Sequence, residues 1–462
     1  MSAAQARSAS IAVQQAPSNA WMERLKTVPG QLRLRQALNI VLALVVGLTG
    51  FHVCQRYAHL VQTIGQDAVP SIVAAENIRT TLADAHTQIV NVFLTGEDSA
   101  GANARAYRKS TALAAGYLLD AGQNISYGDD ERRPILETMT QLSEYQRLIG
   151  MALAGKDQVD ALLQADTLMR ERILPAVVAL DRANFAHLDQ AYSEDRHSAR
   201  YWLYGFLALA VLYALVLAET QWKLYATFRR VFNPALGLGF LVFAFSLMLF
   251  AAKAQTVLSD FRTAKEDAFD SIHALTQAQA LAYSATAQES VYLLTHGRSE
   301  QALQAILFRD TAKRLFSLNF TDMKENAWPA DLKSFKGRGL LGDELANITF
   351  DGEEQVAKAT LKGWLDYMKI DAEIRALESA GRHVEAVALC LGTLPGQSDW
   401  AFQRFMKALK DTLNINHAQF DIAIEHTRKD LAWLWALLLP ILLGPLIGSY
   451  IGLRQRLAEF HE

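Results

Sequence analysis

Only two cysteines, Cys54 and Cys390, occur in 462 residues, which excludes a disulfide framework and a four-cysteine zinc site. Ten prolines and 26 glycines are too few for a fibrous or largely disordered chain. A dominant charge is missing too: 45 Lys and Arg stand against 48 Asp and Glu, so general nucleic-acid binding is not expected. The chain has no H-E-x-x-H, Walker loop or G-x-S-x-G, and its 11 histidines are scattered. Two near misses remain. Gly337-Arg-Gly339-Leu-Leu-Gly342 spells a dinucleotide loop, but it follows no strand and reads as a flexible loop. Glu194 and His197 form the one E-x-x-H, where a di-metal bundle site needs two, so they read as solvated helix surface. No enzyme, cofactor or metal is expected.

What the chain does have is long apolar runs. Four of them, 37–54, 201–218, 234–252 and 431–453, approach or reach the roughly 20 residues that span a bilayer. Trp202, Tyr204 and Trp222 flank the second run, and Trp433 and Trp435 open the fourth, as aromatic residues do at a lipid–water boundary. The alternative, helices buried in a soluble core, is disfavoured by the number of such runs. Between the runs lie two large polar segments, 55–200 and 253–430, and a short hairpin, 219–233. Parity puts both segments on one side of the membrane, and puts the hairpin with both tails, 1–36 and 454–462, on the other.

The tails and hairpin carry Arg7, Arg24, Lys26, Arg33, Arg35, Lys223, Arg229, Arg230, Arg454 and Arg456. Basic residues collect on the cytoplasmic side, so both termini are expected there and both polar segments outside a bacterial cytoplasmic membrane. The first run follows a long tail and lacks an A-x-A-like exit, so it reads as an uncleaved anchor. Asn124, Asn319 and Asn347 begin glycosylation triplets, which are discounted as chance spellings.

The two halves align at an offset of 200 residues. Residues 63–95 and 263–295 share ten identities in 33 positions, among them Thr63/Thr263, Asp67/Asp267, Ser71/Ser271 and Thr95/Thr295. A second echo joins Gly155, Val159 and Ala161 to Gly381, Val384 and Ala386. An internal duplication of a span–segment–span unit is therefore expected. Both segments carry helical periodicity. Ile78, Leu82, Ala85, Ile89 and Val92 make one bundle seam, and Phe402, Phe405, Met406, Leu409 and Leu413 make one broad face. Breaks are predicted near Gly96–Gly101, Gly128, Gly155 and Pro175, and again near Gly297, Leu318–Gly352, Gly381 and Pro395. The expected fold class is an all-α membrane protein with four transmembrane helices and two tandem extracytoplasmic four-helix bundles.

This organisation, spans continuous with alanine-rich helical bundles, resembles the extracytoplasmic sensor domains of bacterial chemoreceptors and sensor kinases. The closing stretch Gly452-Leu-Arg454-Gln-Arg456-Leu-Ala-Glu459-Phe460 after the fourth run is similar to the membrane component of a bacterial amino-acid-sensing relay. That resemblance implies an exported solute-binding lipoprotein as upstream partner and a cytoplasmic Ser/Thr kinase, protein kinase G, downstream. Only nine residues follow the fourth run, so output through a separate partner is expected.

The expected function is a receptor or adaptor that senses an external ligand, or a ligand-loaded binding protein, and reports it inward. A structural membrane scaffold and a transporter subunit are the alternatives. The second is disfavoured because no ionisable group lies at mid-span. Glu219, at the hairpin edge, is expected to pair with Lys223 or a hairpin arginine. Arg79, Arg108 and Lys109 are the candidates for holding a carboxylate. Gly444, Gly448 and Gly452 form a small-residue stripe for close helix packing, with Gly47 and Gly50 or Gly237 and Gly239 as its expected partners. A homodimer is compatible with the sequence.

Overall fold

The computed structural model describes residues 27–64, 69–155, 158–228, 233–317 and 331–458, and every regular element among them is helical. In chain order these are α1 (Val28–Gln62), α2 (Val69–Thr95), α3 (Ala102–Gln123), α4 (Asp129–Leu153), α5 (Gln158–Leu168), α6 (Leu174–Phe228) and α7 (Pro234–Arg262). There follow α8 (Asp270–Leu294), α9 (Glu300–Leu315), α10 (Leu340–Ala346), α11 (Glu353–Ser379), α12 (His383–Cys390) and α13 (Ser398–Ala458). The basic residues Arg7, Arg24, Lys26, Arg229 and Arg230, the repeat position Asp67, Asn319, and the closing Glu459 and Phe460 lie outside the described residues.

The chain divides into two compact units. One gathers Met1–Arg56, Ala199–Ala254 and Leu431–Glu462, and so contains the four apolar runs. Four helical stretches, Val28–Gln62, Gln158–Ala226, Pro234–Leu294 and Ser398–Gln455, are long and apolar enough to cross a membrane. In their most apolar windows only 28–33% of residues are buried. Leu48, Leu212, Leu215, Leu238, Phe245, Met248 and Leu439 all face outward. In water each would forfeit about 1.5–3 kcal/mol of burial, so these helices are not a soluble core but suit a lipid surround. The chain is an all-α, multi-pass membrane protein.

Inside this unit, aromatic residues and glycines interlock. Phe206 meets Phe250 at 4.9 Å between ring centroids, and Tyr213 meets Phe243 edge-on at 5.4 Å. A Cβ on Gly448 would lie 3.0 Å from the Gly239 Cα and 2.7 Å from the Ala235 carbonyl, so α13 and α7 approach backbone to backbone there. Gly444 lies against Gly239 and Val242, and the Gly452 carbonyl accepts from Asn233 Nδ2 at 2.9 Å. Gly47 and Gly50 instead face Leu442 and Leu438. Glu219 pairs with Lys223 at 2.8 Å and with Arg35 at 3.4 Å.

The second unit holds Tyr57–Ser198 and Gln255–Asp430, so both polar segments share one compact body. Their leading helices make direct contact: Thr87 Oγ1 of α2 donates to the Tyr283 carbonyl of α8 at 2.9 Å, and Ser290 Oγ donates to Asn91 Oδ1 at 2.7 Å. Ile78, Leu82, Ala85, Ile89 and Val92 are all buried, as are Phe402, Phe405, Leu409 and Leu413, so the periodic faces form the core.

The helices end where left-handed glycines permit it. Gly155 (φ +79°) closes the turn after α4, and Gly381 (φ +74°) closes the turn after α11. The break predicted at Pro175 is absent. A π-helical turn, Met169–Ile173, joins α5 to α6, giving an unbroken helical stretch from Gln158 to Ala226. Widening the turn just ahead of Pro175 accommodates a residue with no N–H and a bulky ring. Near Pro395 the predicted break does occur, between α12 and α13. Gly337–Gly339 turn into α10, and Gly342 lies within that helix: Gly339 lies so close to the α9 carboxyl end that a Cβ would meet the Arg314 and Leu315 carbonyls at 2.7 Å.

Candidate functional site

Two loops in the polar unit are built alike. Asn124 Nδ2 donates to Ser71 Oγ at 3.2 Å, and Asn347 Nδ2 donates to Ser271 Oγ at 3.0 Å. Glu131 Oε2 accepts from the amides of Ser126 and Tyr127 at 2.6 and 2.7 Å. Glu353 Oε2 accepts from the amides of Thr349 and Phe350 at 2.9 and 3.1 Å. The sequence spells the match as Asn-Ile-Ser-Tyr (124–127) and Asn-Ile-Thr-Phe (347–350), each followed by a buried glutamate. The Asn124 and Asn347 triplets, which look like glycosylation signals, are therefore loop-closing motifs. Sequence reasoning had them in view and assigned them to chance.

Beside the first of these loops lies a cavity of about 320 Å³ walled by α2, α3, α4 and α6. Val73, Ala74, Ile135 and Leu180 give it apolar sides; Asn77, Tyr117, Asp120, Asn124 and Asn184 give it polar ones. Asn184 is 1% exposed, and its Oδ1 has no hydrogen-bond partner among the described residues. A buried acceptor left unpaired costs about 1–3 kcal/mol, and a bound donor would remove that cost. Among the described residues, no Lys or Arg lines the cavity. A small semi-enclosed space with a few polar groups on apolar walls is the ordinary form of a small-molecule site.

One residue along from Asn77 on α2, and one from Leu180 on α6, the chain places a buried ionisable cluster. Glu76 Oε1 lies 2.8 Å from His273 Nδ1 of α8, and Asp181 Oδ1 lies 3.5 Å from the same nitrogen. Gln277 Nε2 sits 2.6 Å from the other ring nitrogen, and the ring stacks on Phe185 at 4.5 Å. Burial pushes the Glu76 carboxyl well above its ordinary range, with Arg79 pulling it back only in part. Burial likewise pushes Asp181 up to about 6 against the pull of His273, and it lowers His273. The cluster ties α2 and α6 of the first segment to α8 of the second.

Each segment also encloses a polar network around an equivalent tyrosine. In the first, His86 bonds Tyr145 Oη and Asp166 Oδ1, both at 3.1 Å, and Gln304 Nε2 donates to Asp166 Oδ2 at 3.2 Å. In the second, Tyr367 Oη donates to Glu289 Oε2 at 3.2 Å and Ser398 Oγ donates to it at 3.0 Å. These partners are about 60 to 140 residues apart in sequence, beyond the reach of periodicity.

The carboxylate-binding candidates are not brought together. Arg79 is buried beside Glu76 and Asp181, outside the cavity wall. Arg108 is exposed and donates to the Ser99 carbonyl at 2.8 Å, and Lys109 is exposed as well. Glu194 and His197 both lie on the exposed surface.

Residues 60–193 match the family model of an actinobacterial sensor domain. The matched stretch holds α2 to α5 and the start of α6, and with them every wall of the cavity. No curated protein and no solved structure matches the chain significantly. The family match supports a sensing or signalling role for a bacterial membrane protein.

Proposed function

We propose that this chain is a transmembrane sensor whose first polar segment binds a small polar molecule directly and whose long helices carry the event across the membrane. The observation that carries the proposal is the cavity between α2 and α6, with the unpartnered Asn184 oxygen in its wall, inside the sensor-matched stretch. Its amide and carboxylate oxygens suit donor-rich ligands, amines or polyols. With no Lys or Arg among the described wall residues, glutamate and aspartate are disfavoured.

The route inward is mechanical. Ligand seated between α2 and α6 bears on the same two helices that hold Glu76 and Asp181. From there the helix runs unbroken to Ala226, within a stretch apolar enough to span lipid. A small tilt or axial shift is the kind of displacement such a continuous helix transmits. In this reading the basic tails and hairpin lie in the cytoplasm and address a separate partner, a Ser/Thr kinase being the class implied by the C-terminal resemblance. We also infer that the two segments descend from one duplicated unit. The paired loops closed by Asn124/Asn347, Ser71/Ser271 and Glu131/Glu353 support that descent.

The test is calorimetry on the full chain in lipid nanodiscs, titrated with putrescine, choline, glycerol-class polyols, neutral amino acids and glutamate. One amine or polyol class should give saturable heat that Asn184→Leu removes, with glutamate silent. Heat from glutamate, or binding indifferent to Asn184→Leu, would overturn direct sensing in this cavity.

A further inference from the structure

We propose that His296, Glu378 and His383 form a binding site for a divalent transition-metal ion of the zinc class, distinct from the small-molecule cavity. The three residues converge from two adjacent turns of the second segment. His296 follows the end of α8, Glu378 lies in the last turn of α11, and His383 opens α12. One ligand atom from each lies within 4.8 Å of the others. The Glu378 side chain is 3% exposed, whereas those of His296 and His383 are 49% and 32% exposed. The carboxylate therefore makes a floor and the imidazoles a rim open to solvent.

The donor set is the one that zinc-class ions select: two imidazole nitrogens and a carboxylate. His383 Nδ1 lies 2.9 Å from Glu378 Oε2, and His296 Nδ1 pairs with Oε1. An ion bound at about 2.0–2.2 Å to each atom needs only slightly wider separations, which rotation of the two rim rings supplies. Gln301 Nε2 donates to Glu378 Oε1 at 2.8 Å, the outer-shell bond that fixes a ligating carboxylate. Nearby cations are engaged elsewhere: Arg382 Nε with Glu385 at 2.7 Å, Arg375 Nε with Asp371 at 2.9 Å, and Arg298 with Asp160.

The alternative is a metal-free arrangement in which the two imidazoles share the carboxylate through hydrogen bonds alone. The two rings stack with centroids 4.3 Å apart, and both Nδ1 atoms turn toward the Glu378 carboxylate, so the three donors already face one point. A bound ion would take the place of the protons in those two hydrogen bonds. Binding then leaves an open coordination position for water or for a donor from a partner. The Glu76–Asp181–His273 cluster offers similar atoms but is closed, with the Arg79 cation beside it, so it serves as an internal control.

The experiment uses the full chain purified with a tag that lacks histidine, stripped with EDTA and titrated with zinc chloride against a fluorescent chelator. One equivalent should bind tightly. His296→Ala and His383→Ala should each weaken it by about 100-fold or more, at least the loss seen on removing an outer-shell partner. His273→Ala should leave it unchanged. Cobalt(II) should give a visible d–d spectrum that His383→Ala abolishes. Unchanged melting temperatures of the metal-free variants would show that they still fold. Absence of a tight equivalent, retention of binding in the His296→Ala/His383→Ala double variant, or its loss in His273→Ala alone would overturn the site. None of these outcomes bears on ligand binding in the small-molecule cavity.

Discussion

The two polar segments close their loops with the same chemistry and fill their interiors with different chemistry. Asn124 and Ser71 do in one what Asn347 and Ser271 do in the other. Yet the first places Asp166 against His86, while the second buries Glu289 among hydroxyls and beside Asp371. The first joins α5 to α6 through a π-helical turn, and the second breaks the chain between Cys390 and Ser398. The frame is shared, and the contents differ.

The largest expected effect tests whether the loops are equivalent. Glu353 accepts two backbone amides and also Asn416 Nδ2 at 2.8 Å, whereas Glu131 accepts two amides. With each orphaned donor costing about 1–3 kcal/mol, Glu353→Ala should destabilise by about 4 kcal/mol and Glu131→Ala by about 2. Equal losses in chemical denaturation would break the distinction between them.

The interiors should respond to pH with opposite sign. Burial works to raise the Asp166 carboxyl, but hydrogen bonding and charge from His86 outweigh it, and the group is held below its ordinary value. The stability this lends is present at neutral pH and is lost as pH falls below the ordinary aspartate range. Burial and the Asp371 charge raise Glu289, so the folded protein holds a proton that the unfolded chain releases. That stability declines as pH climbs from the ordinary glutamate range through the raised value. Asp166→Asn should therefore cost about 2 kcal/mol at pH 7 and progressively less as pH falls below the ordinary aspartate range. Glu289→Gln should cost nothing at pH 7 and flatten the decline toward pH 8. Melting curves across pH 3–8 check both.

The smallest effect is a control for the shared frame. Gly155→Ala and Gly381→Ala meet no neighbouring atoms, so each loses only the left-handed conformation. Each should cost about 1–2 kcal/mol, equally. Unequal costs would argue against equivalent turns.

Much of the fold was legible because it rests on local periodicity. The seam from Ile78 to Val92, the Phe402–Leu413 face and the four apolar runs report burial at helical spacing, and each element forms where they indicate. What spacing cannot report is which helices meet. Nothing in the sequence says that Thr87 reaches the Tyr283 carbonyl, or that His86 faces Asp166, because those pairings are set by tertiary packing. Pro175 misled because a π-helical turn absorbs it. The Asn-Ile-Ser and Asn-Ile-Thr loops were visible but matched a surface-modification pattern, and only the buried glutamates that cap them show their purpose.

Sensing from outside requires both polar segments to face away from the cytoplasm. Single cysteines at Arg133, Val384 and Trp222, whose side chains or residues are 80%, 81% and 70% exposed, can be probed in intact cells with a membrane-impermeant maleimide. Cys54 and Cys390 are buried and contribute little background. Arg133→Cys and Val384→Cys should label at once, and Trp222→Cys only after permeabilisation. Labelling of Trp222→Cys in intact cells, with the other two protected, would contradict the account.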